Sequence, residues 1–267
     1  MQSVLKKKRL FLFDMDGTIY LENKLFDGTL DLLEYIRKVG GKAVYVTNNS
    51  SKNVKGYVER LAEMGITASE EDFMTSTQVT GMYLKENHKN GKIYVLGTAA
   101  LVDALRDEYK LPVTTTYEES ITCLVLGFDT ELTFKKLEEA SKLLTDPDLS
   151  YIATNPDLVC PVSFGYVPDC GSIMQALYNA SGRMPIVIGK PEATMALAAM
   201  KKYSYSEEET VLIGDRIYTD IACGVNAGIT SVLVLSGEST MKTVEESEIK
   251  PDIILSDVQE LYSILAS

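Results

Sequence analysis

Asp14-Met15-Asp16-Gly17-Thr18 sets two carboxylates two residues apart directly after the apolar run Leu10-Phe11-Leu12-Phe13. In an open parallel sheet, ligands bind beyond the carboxyl ends of the strands, so this pair faces the functional crevice. Gly17 allows a tight turn and Thr18 offers a hydroxyl to fix it, although Asp followed by Gly is also an ordinary turn sequence. Thr47-Asn48-Asn49-Ser50 follows a second run, Ala43 to Val46; its hydroxyl and successive N–H groups suit the oxygens of an anion. The same residues also suit a loop leading to a helix cap. Gly189-Lys190-Pro191 follows Ile186 to Ile188, and a lysine directly beyond a buried strand can neutralise a transferring phosphoryl group, although a lone lysine is more often a solvated surface residue. Asp215 and Asp220, five apart after Val211 to Ile213, are hard oxygen donors of the kind that suits Mg²⁺; Asp220 alone also fits the first turn of a helix. Independent turns are not expected to supply a nucleophile, an anion-binding hydroxyl, a cation and a metal ligand together.

Short runs rich in Val, Ile, Leu and Tyr alternate with segments of helical period, the pattern of a doubly wound, Rossmann-like α/β fold built on a parallel sheet. Strands are expected at residues 9–13, 42–46, 186–188, 210–213, 230–234 and 252–255. Helices are expected near 30–39, 53–64, 192–202 and 219–227 and from Val258 onward. Between Thr47 and Lys190 lie 142 residues, far more than one βαβ crossover needs. That stretch has its own strands, at 92–96, 121–127 and 151–154, and helices near 99–109, 133–144 and 172–181. The expectation is a discontinuous core domain of residues 1–81 and 184–267 with an inserted α/β cap domain at 82–183.

Composition removes other classes of function. The 267 residues hold 26 Lys and Arg against 38 Asp and Glu, a formal charge of −12 that repels a phosphate backbone, so no nucleic-acid partner is expected. One histidine, His88, rules out His-clustered metal sites. The four cysteines include no CxxC pair and lie mostly beside apolar residues, as expected in a reducing cytoplasm. Asp14 interrupts the first apolar run well short of a signal peptide or a membrane span, so no membrane partner is expected.

The four motifs, in this order, resemble the haloacid dehalogenase-like (HAD) hydrolase superfamily, and within it the capped phosphatases of the NagD and p-nitrophenylphosphatase type. DMDGT, TNNSS, GKP and GDRIYTDI carry the resemblance over nearly the whole chain, and Ala153 to Asp157 and Gly171-Ser172 resemble cap segments. Asp169 stands where that family pattern has glycine. The resemblance implies a Mg²⁺-dependent phosphatase acting on small phosphorylated metabolites. On that resemblance Asp14 would attack phosphorus to give an aspartyl-phosphate, and Asp16 would protonate the leaving oxygen and then deprotonate water. The resemblance likewise implies that Asp14, the backbone carbonyl of Asp16 and Asp215 would bind Mg²⁺, with Asp220 supporting them. By the same resemblance Thr47, Asn48 and Asn49 would bind the phosphate, and Lys190 would stabilise Asp14 and the transferred group. Asn155 and Asp157 are expected to touch the leaving group, and relatives include homodimers. A receiver-like or phosphate-binding signalling module is the competing class. Receivers are much shorter, with their acidic pair ahead of the phosphorylated strand, and a module without turnover has no need of the full set of Asp14, Asp16, Lys190 and Asp215.

Overall fold

A computed structural model describes residues 2–88, 90–162 and 164–267, which form two units. The core unit comprises Met1–Thr47, Val54–Met74 and Lys190–Ser267; the insert unit comprises Asn48–Asn53 and Thr75–Gly189.

The core unit holds a six-stranded sheet in the order Ile253–Leu255, Thr230–Val234, Thr210–Gly214, Leu10–Phe13, Lys42–Thr47 and Phe73–Thr75. Leu10–Phe13 pairs in parallel with both Thr210–Gly214 and Lys42–Thr47, in registers that put Phe13 opposite Ile213 and Tyr45. Numbered along the chain, the order is that of the Rossmann fold, and it reverses between Leu10–Phe13 and Thr210–Gly214. Every residue of these two strands is buried, which is why they read as unbroken apolar runs and not as alternating ones. Phe11, Phe13, Tyr45, Phe73 and Val232 pack with Leu32 and Ile36 of helix Thr29–Lys38, Leu61 of Val54–Glu63 and Leu261 of Val258–Ala266. These helices present apolar residues at three- and four-residue spacing, so one face of each covers the sheet.

The insert unit holds a five-stranded sheet in the order Ile186–Val187, Ser150–Ala153, Ile121–Leu126, Lys92–Leu96 and Val113–Thr114, with every neighbouring pair parallel. Helices Phe134–Leu143 and Cys170–Ser181 contribute Ala140, Leu143, Ile173 and Leu177 to its own core with Tyr94, Leu96, Leu124 and Leu126. Asp169 caps Cys170–Ser181, its carboxylate accepting from the Cys170 N–H, which gives the residue at the position of the family's glycine a local role.

Ile186–Val187, expected in the core sheet, pairs instead with Ser150–Ala153. Two residues form this edge strand, Ile186 is 59% exposed, and so short a run carries no mark of which sheet it joins. The expected insert limits, 82 and 183, fall inside a unit that begins at Thr75, ends at Gly189 and takes in 48–53. Helix Ser76–Asn87 is absent from the sequence reading because its Thr-rich, Gly-containing stretch has little amphipathic period. Its start is nevertheless written in the sequence, as a Thr75/Gln78 capping box. Also unexpected is the antiparallel ribbon of Val159–Val162 with Gly165–Pro168, whose side chains are mostly exposed.

Candidate active site

Asp14 and Asp215 follow the two strands that flank the reversal of strand order, and the Asp14 N–H extends the ladder by donating to the Ile213 carbonyl at 2.9 Å. One carboxylate oxygen from each of Asp14, Asp215 and Asp220 lies within 4.8 Å of the other two. Lys190, 2% exposed, donates to Oδ1 of Asp14 and to Oδ1 of Asp220, both at 2.6 Å. The strand before it, Ile186–Val187, belongs to the insert sheet and not, as expected, to the core sheet.

Asp215 is held from two sides: the Thr18 hydroxyl donates to Oδ1 at 3.3 Å and the Glu238 N–H to Oδ2 at 2.7 Å. Thr18 therefore braces a metal-ligand candidate across the strands in addition to closing its own turn, in which its N–H donates to the Met15 carbonyl. The backbone presses close here. Gly17 has φ of +86°, and a Cβ on it would lie 2.6 Å from Asp215 Oδ2; one on Gly237 would lie 2.1 Å from the same atom. Asp220 sits in a π-wound turn, Ile217–Ile221, with Oδ2 accepting from the Arg216 N–H at 3.1 Å.

Three carboxylates share the Lys190 ammonium, and the Arg216 guanidinium acts on all three as a second positive charge. Burial, then the neighbouring carboxylates of Asp220 and Asp215, push the Asp14 carboxyl up to about 8 against the pull of Lys190. Burial and Asp220 push Asp215 up to about 6. For Lys190, burial acts downward, but Asp14 and Asp220 outweigh it and hold the ammonium above its ordinary range. The donor set fits Mg²⁺: all three groups are hard carboxylate oxygens, close together. Burial pushes the thiols of Cys123, Cys170 and Cys223 up to about 12, so these three are not thiolates near neutrality.

The Asp16 carboxylate stands apart from this cluster and is half-exposed, 3.6 Å from Arg60 and accepting from the Tyr20 hydroxyl at 3.3 Å. Arg60 in turn lies over the Tyr20 ring. Thr47, nearly buried, ends the strand beside Leu10–Phe13. Sequence reasoning missed Tyr20, Arg60 and the Ser236-Gly237-Glu238 loop, whose Ser236 hydroxyl donates to the Gly17 carbonyl at 2.7 Å. The loop had a signal, since it follows an apolar strand as the other motifs follow theirs; Arg60, on a helix face, had none.

The remaining expected residues belong to the insert unit. Asn49 Oδ1 accepts from the N–H and hydroxyl of Ser51, forming a local turn. Asn48 Nδ2 donates to Asp157 Oδ1 at 3.3 Å, and Asn155 Nδ2 donates to the Asn48 carbonyl at 2.9 Å. Asn48, Asn155 and Asp157 are thus brought together, while Asp14, Lys190, Asp215 and Asp220 form the core cluster.

An order-reversing parallel sheet with an aspartate after each of the two central strands and a lysine bridging the acidic cluster defines a hydrolase class. Residues 11–109 match the family model of the haloacid dehalogenase-like hydrolases, and residues 187–261 match a second, HAD-hydrolase-like model. The chain belongs to this family. It is 31% identical over 261 residues to the acid sugar phosphatase of Staphylococcus aureus, covering 98% of this chain and 99% of that one. The crystal structure of 4-nitrophenylphosphatase from Thermotoga maritima superposes with a TM-score of 0.91 at 38% identity, over 98% of this chain and 99% of the other. The glycerol phosphate phosphatase of Mycobacterium tuberculosis, solved in complex with magnesium, gives 0.90 at 27% identity, over 98% and 79%. Within the family the chain is a phosphoric monoester hydrolase of the NagD and 4-nitrophenylphosphatase branch. Among the described residues, no helix is long and apolar enough to cross a membrane.

Proposed function

We propose that the chain hydrolyses small phosphate monoesters, such as sugar phosphates or nucleoside monophosphates, in two steps through Asp14. The observation that carries this is Lys190 at 2.6 Å from both Asp14 and Asp220 in a cluster completed by Asp215. The Asp14 carboxylate forms a bond to phosphorus as the ester P–O bond breaks, and the leaving oxygen takes a proton from Asp16. Water then attacks the same phosphorus, giving its proton to Asp16 and releasing inorganic phosphate and the Asp14 carboxylate. Half-exposure and the nearby Tyr20 and Arg60 suit Asp16 to exchange that proton with solvent and substrate.

Lys190 offsets the repulsion between Asp14 and the phosphoryl oxygens, and the Thr47 hydroxyl with the following Asn48 N–H holds two of those oxygens. Asp14, Asp215 and the Asp16 carbonyl would hold Mg²⁺, with Asp220 fixing Lys190 and the turn behind them. When bound, Mg²⁺ supplies divalent positive charge against the phosphoryl oxygens. The names of the relatives support small phosphate esters as the substrate class. Four free thiols suit a cytoplasmic setting, with the assembly a monomer or a homodimer. Phosphate release from a panel of phosphorylated metabolites, with Mg²⁺ and with excess EDTA, tests the reading. Full turnover in EDTA, or no release from any ester, overturns it.

A further inference from the structure

Asn155 has no exposed surface, and its polar atoms are engaged inside the insert unit. Its Nδ2 donates to the Asn48 carbonyl at 2.9 Å and lies 3.4 Å from the Thr154 hydroxyl; its Oδ1 accepts from the Asp157 N–H at 3.0 Å. The Asn48 carbonyl takes a second hydrogen bond, from Ser76 Oγ at 2.6 Å. Two residues on, Ser50 Oγ accepts from the Phe128 N–H and the Thr154 hydroxyl, both at 3.0 Å, so the 48–53 segment is tied to two strand ends of the insert sheet. Gly189 is tied to the same place: its N–H donates to the Thr154 carbonyl at 2.9 Å. A Cβ on Gly189 would lie 2.6 Å from Asn48 Oδ1 and 3.4 Å from the Asn155 Cβ. Asn48 and Gly189 therefore stand against each other on a common support, Thr154-Asn155.

These two residues are the chain neighbours of the groups proposed to meet the phosphate. Asn48 directly follows Thr47, and Gly189 directly precedes Lys190. Consecutive Cα atoms are held about 3.8 Å apart, so an ångström of play at Asn48 is passed on to Thr47 and to its own N–H. Misplacement of that size costs roughly 10²-fold in rate. We infer that Asn155 is a positioning residue, fixing through the Asn48 carbonyl the chain that carries the Thr47 hydroxyl and the Asn48 N–H, and not a contact to the leaving group. The inference rests on the phosphatase reading above and replaces the leaving-group role expected from the sequence.

The test compares wild type, Asn155→Ala, Ser76→Ala and the double variant with Mg²⁺ present. Three quantities are read: kcat/KM for p-nitrophenyl phosphate, a sugar phosphate and a nucleoside monophosphate; the affinity for inorganic phosphate by calorimetry; and the thermal midpoint. Asn155→Ala should lower kcat/KM by about 10- to 100-fold, by the same factor on every ester, and weaken inorganic phosphate, with a lowered midpoint that still leaves the chain folded at the assay temperature. Ser76→Ala should do the same more weakly. The double variant should fall short of the sum, because both donors act on one carbonyl. A changed ranking of substrates with p-nitrophenyl phosphate untouched overturns the inference in favour of a leaving-group contact, and unaltered kinetics and phosphate affinity also overturn it. If Asn155→Ala does not fold, Ser76→Ala decides. If wild type hydrolyses none of the esters, the phosphatase reading fails, and the phosphate affinities still decide the positioning role.

Discussion

Replacing Lys190 with methionine keeps the length of the side chain and removes the ammonium that bridges Asp14 and Asp220. Lys190 is 2% exposed and the Asp220 side chain 1%, so that end of the bridge is shielded from solvent. Breaking a buried ion pair by deleting one partner typically costs about 3–5 kcal/mol, because the abandoned charge stays buried. The carboxylates can escape part of this by taking up protons, which fixes the sign of the pH dependence. Asp14 already sits above its unfolded value in the wild type. Without the ammonium it rises further, so the folded variant binds more protons than the unfolded chain over a wider range, and its stability falls as pH rises from the ordinary carboxylate range through the raised value. At about pH 8.5 in EDTA the full loss of about 3–5 kcal/mol is expected, and at about pH 5.5 clearly less. For a chain of this size 1 kcal/mol moves the thermal midpoint by roughly 2 °C, so circular dichroism melts should show a drop of about 6–10 °C at the higher pH. Equal losses at both pH values, or a drop under about 2 °C at the higher one, would refute the assignment of Lys190 as the counter-charge of a buried acidic cluster.

Three further outcomes follow from the same geometry. Asp14→Asn should fold, Lys190 keeping Asp220 as its partner, and lose nearly all turnover on every ester, and substantial remaining turnover would exclude the covalent route. Asp16→Asn should cost about 10²- to 10⁴-fold on alkyl phosphates and less on p-nitrophenyl phosphate, whose phenolate leaves without a proton; equal losses on both would remove Asp16 as the acid. Gly237→Ala drives a Cβ to within 2.1 Å of Asp215 Oδ2 and should weaken Mg²⁺ by about 10- to 100-fold in calorimetry while leaving Asp14 and Lys190 in place. Because Asp14 and Asp215 are raised to about 8 and about 6, Mg²⁺ must displace protons near neutrality. Its affinity should rise with pH between those values, and titrations in two buffers of different ionisation enthalpy should report proton release; a pH-independent affinity would contradict it.

The sequence by itself determined the two central strands and the aspartates after them. Leu10-Phe11-Leu12-Phe13 and Val211-Leu212-Ile213 are unbroken apolar runs because both faces of a central parallel strand are covered, and a polar residue directly after such a run has only the strand end to occupy. Asp14, Thr47 and Asp215 were legible for that reason, as was the insertion, which follows from chain length between motifs. Tertiary structure alone decided the rest. Ile186-Val187 joined the insert sheet because an edge strand of two residues contains nothing that selects its partner. Residues 48–53 belong to the insert through hydrogen bonds to Ser76, Phe128 and Thr154, all remote in sequence. Arg60 reached Asp16 from a helix whose pattern announces only which face is buried. Asn155, which reads as a polar loop residue, is wholly enclosed. Local pattern records whether a residue is covered, since burial selects for apolarity at a fixed period; which element covers it depends on contacts between distant segments, and those leave no mark at the residue itself.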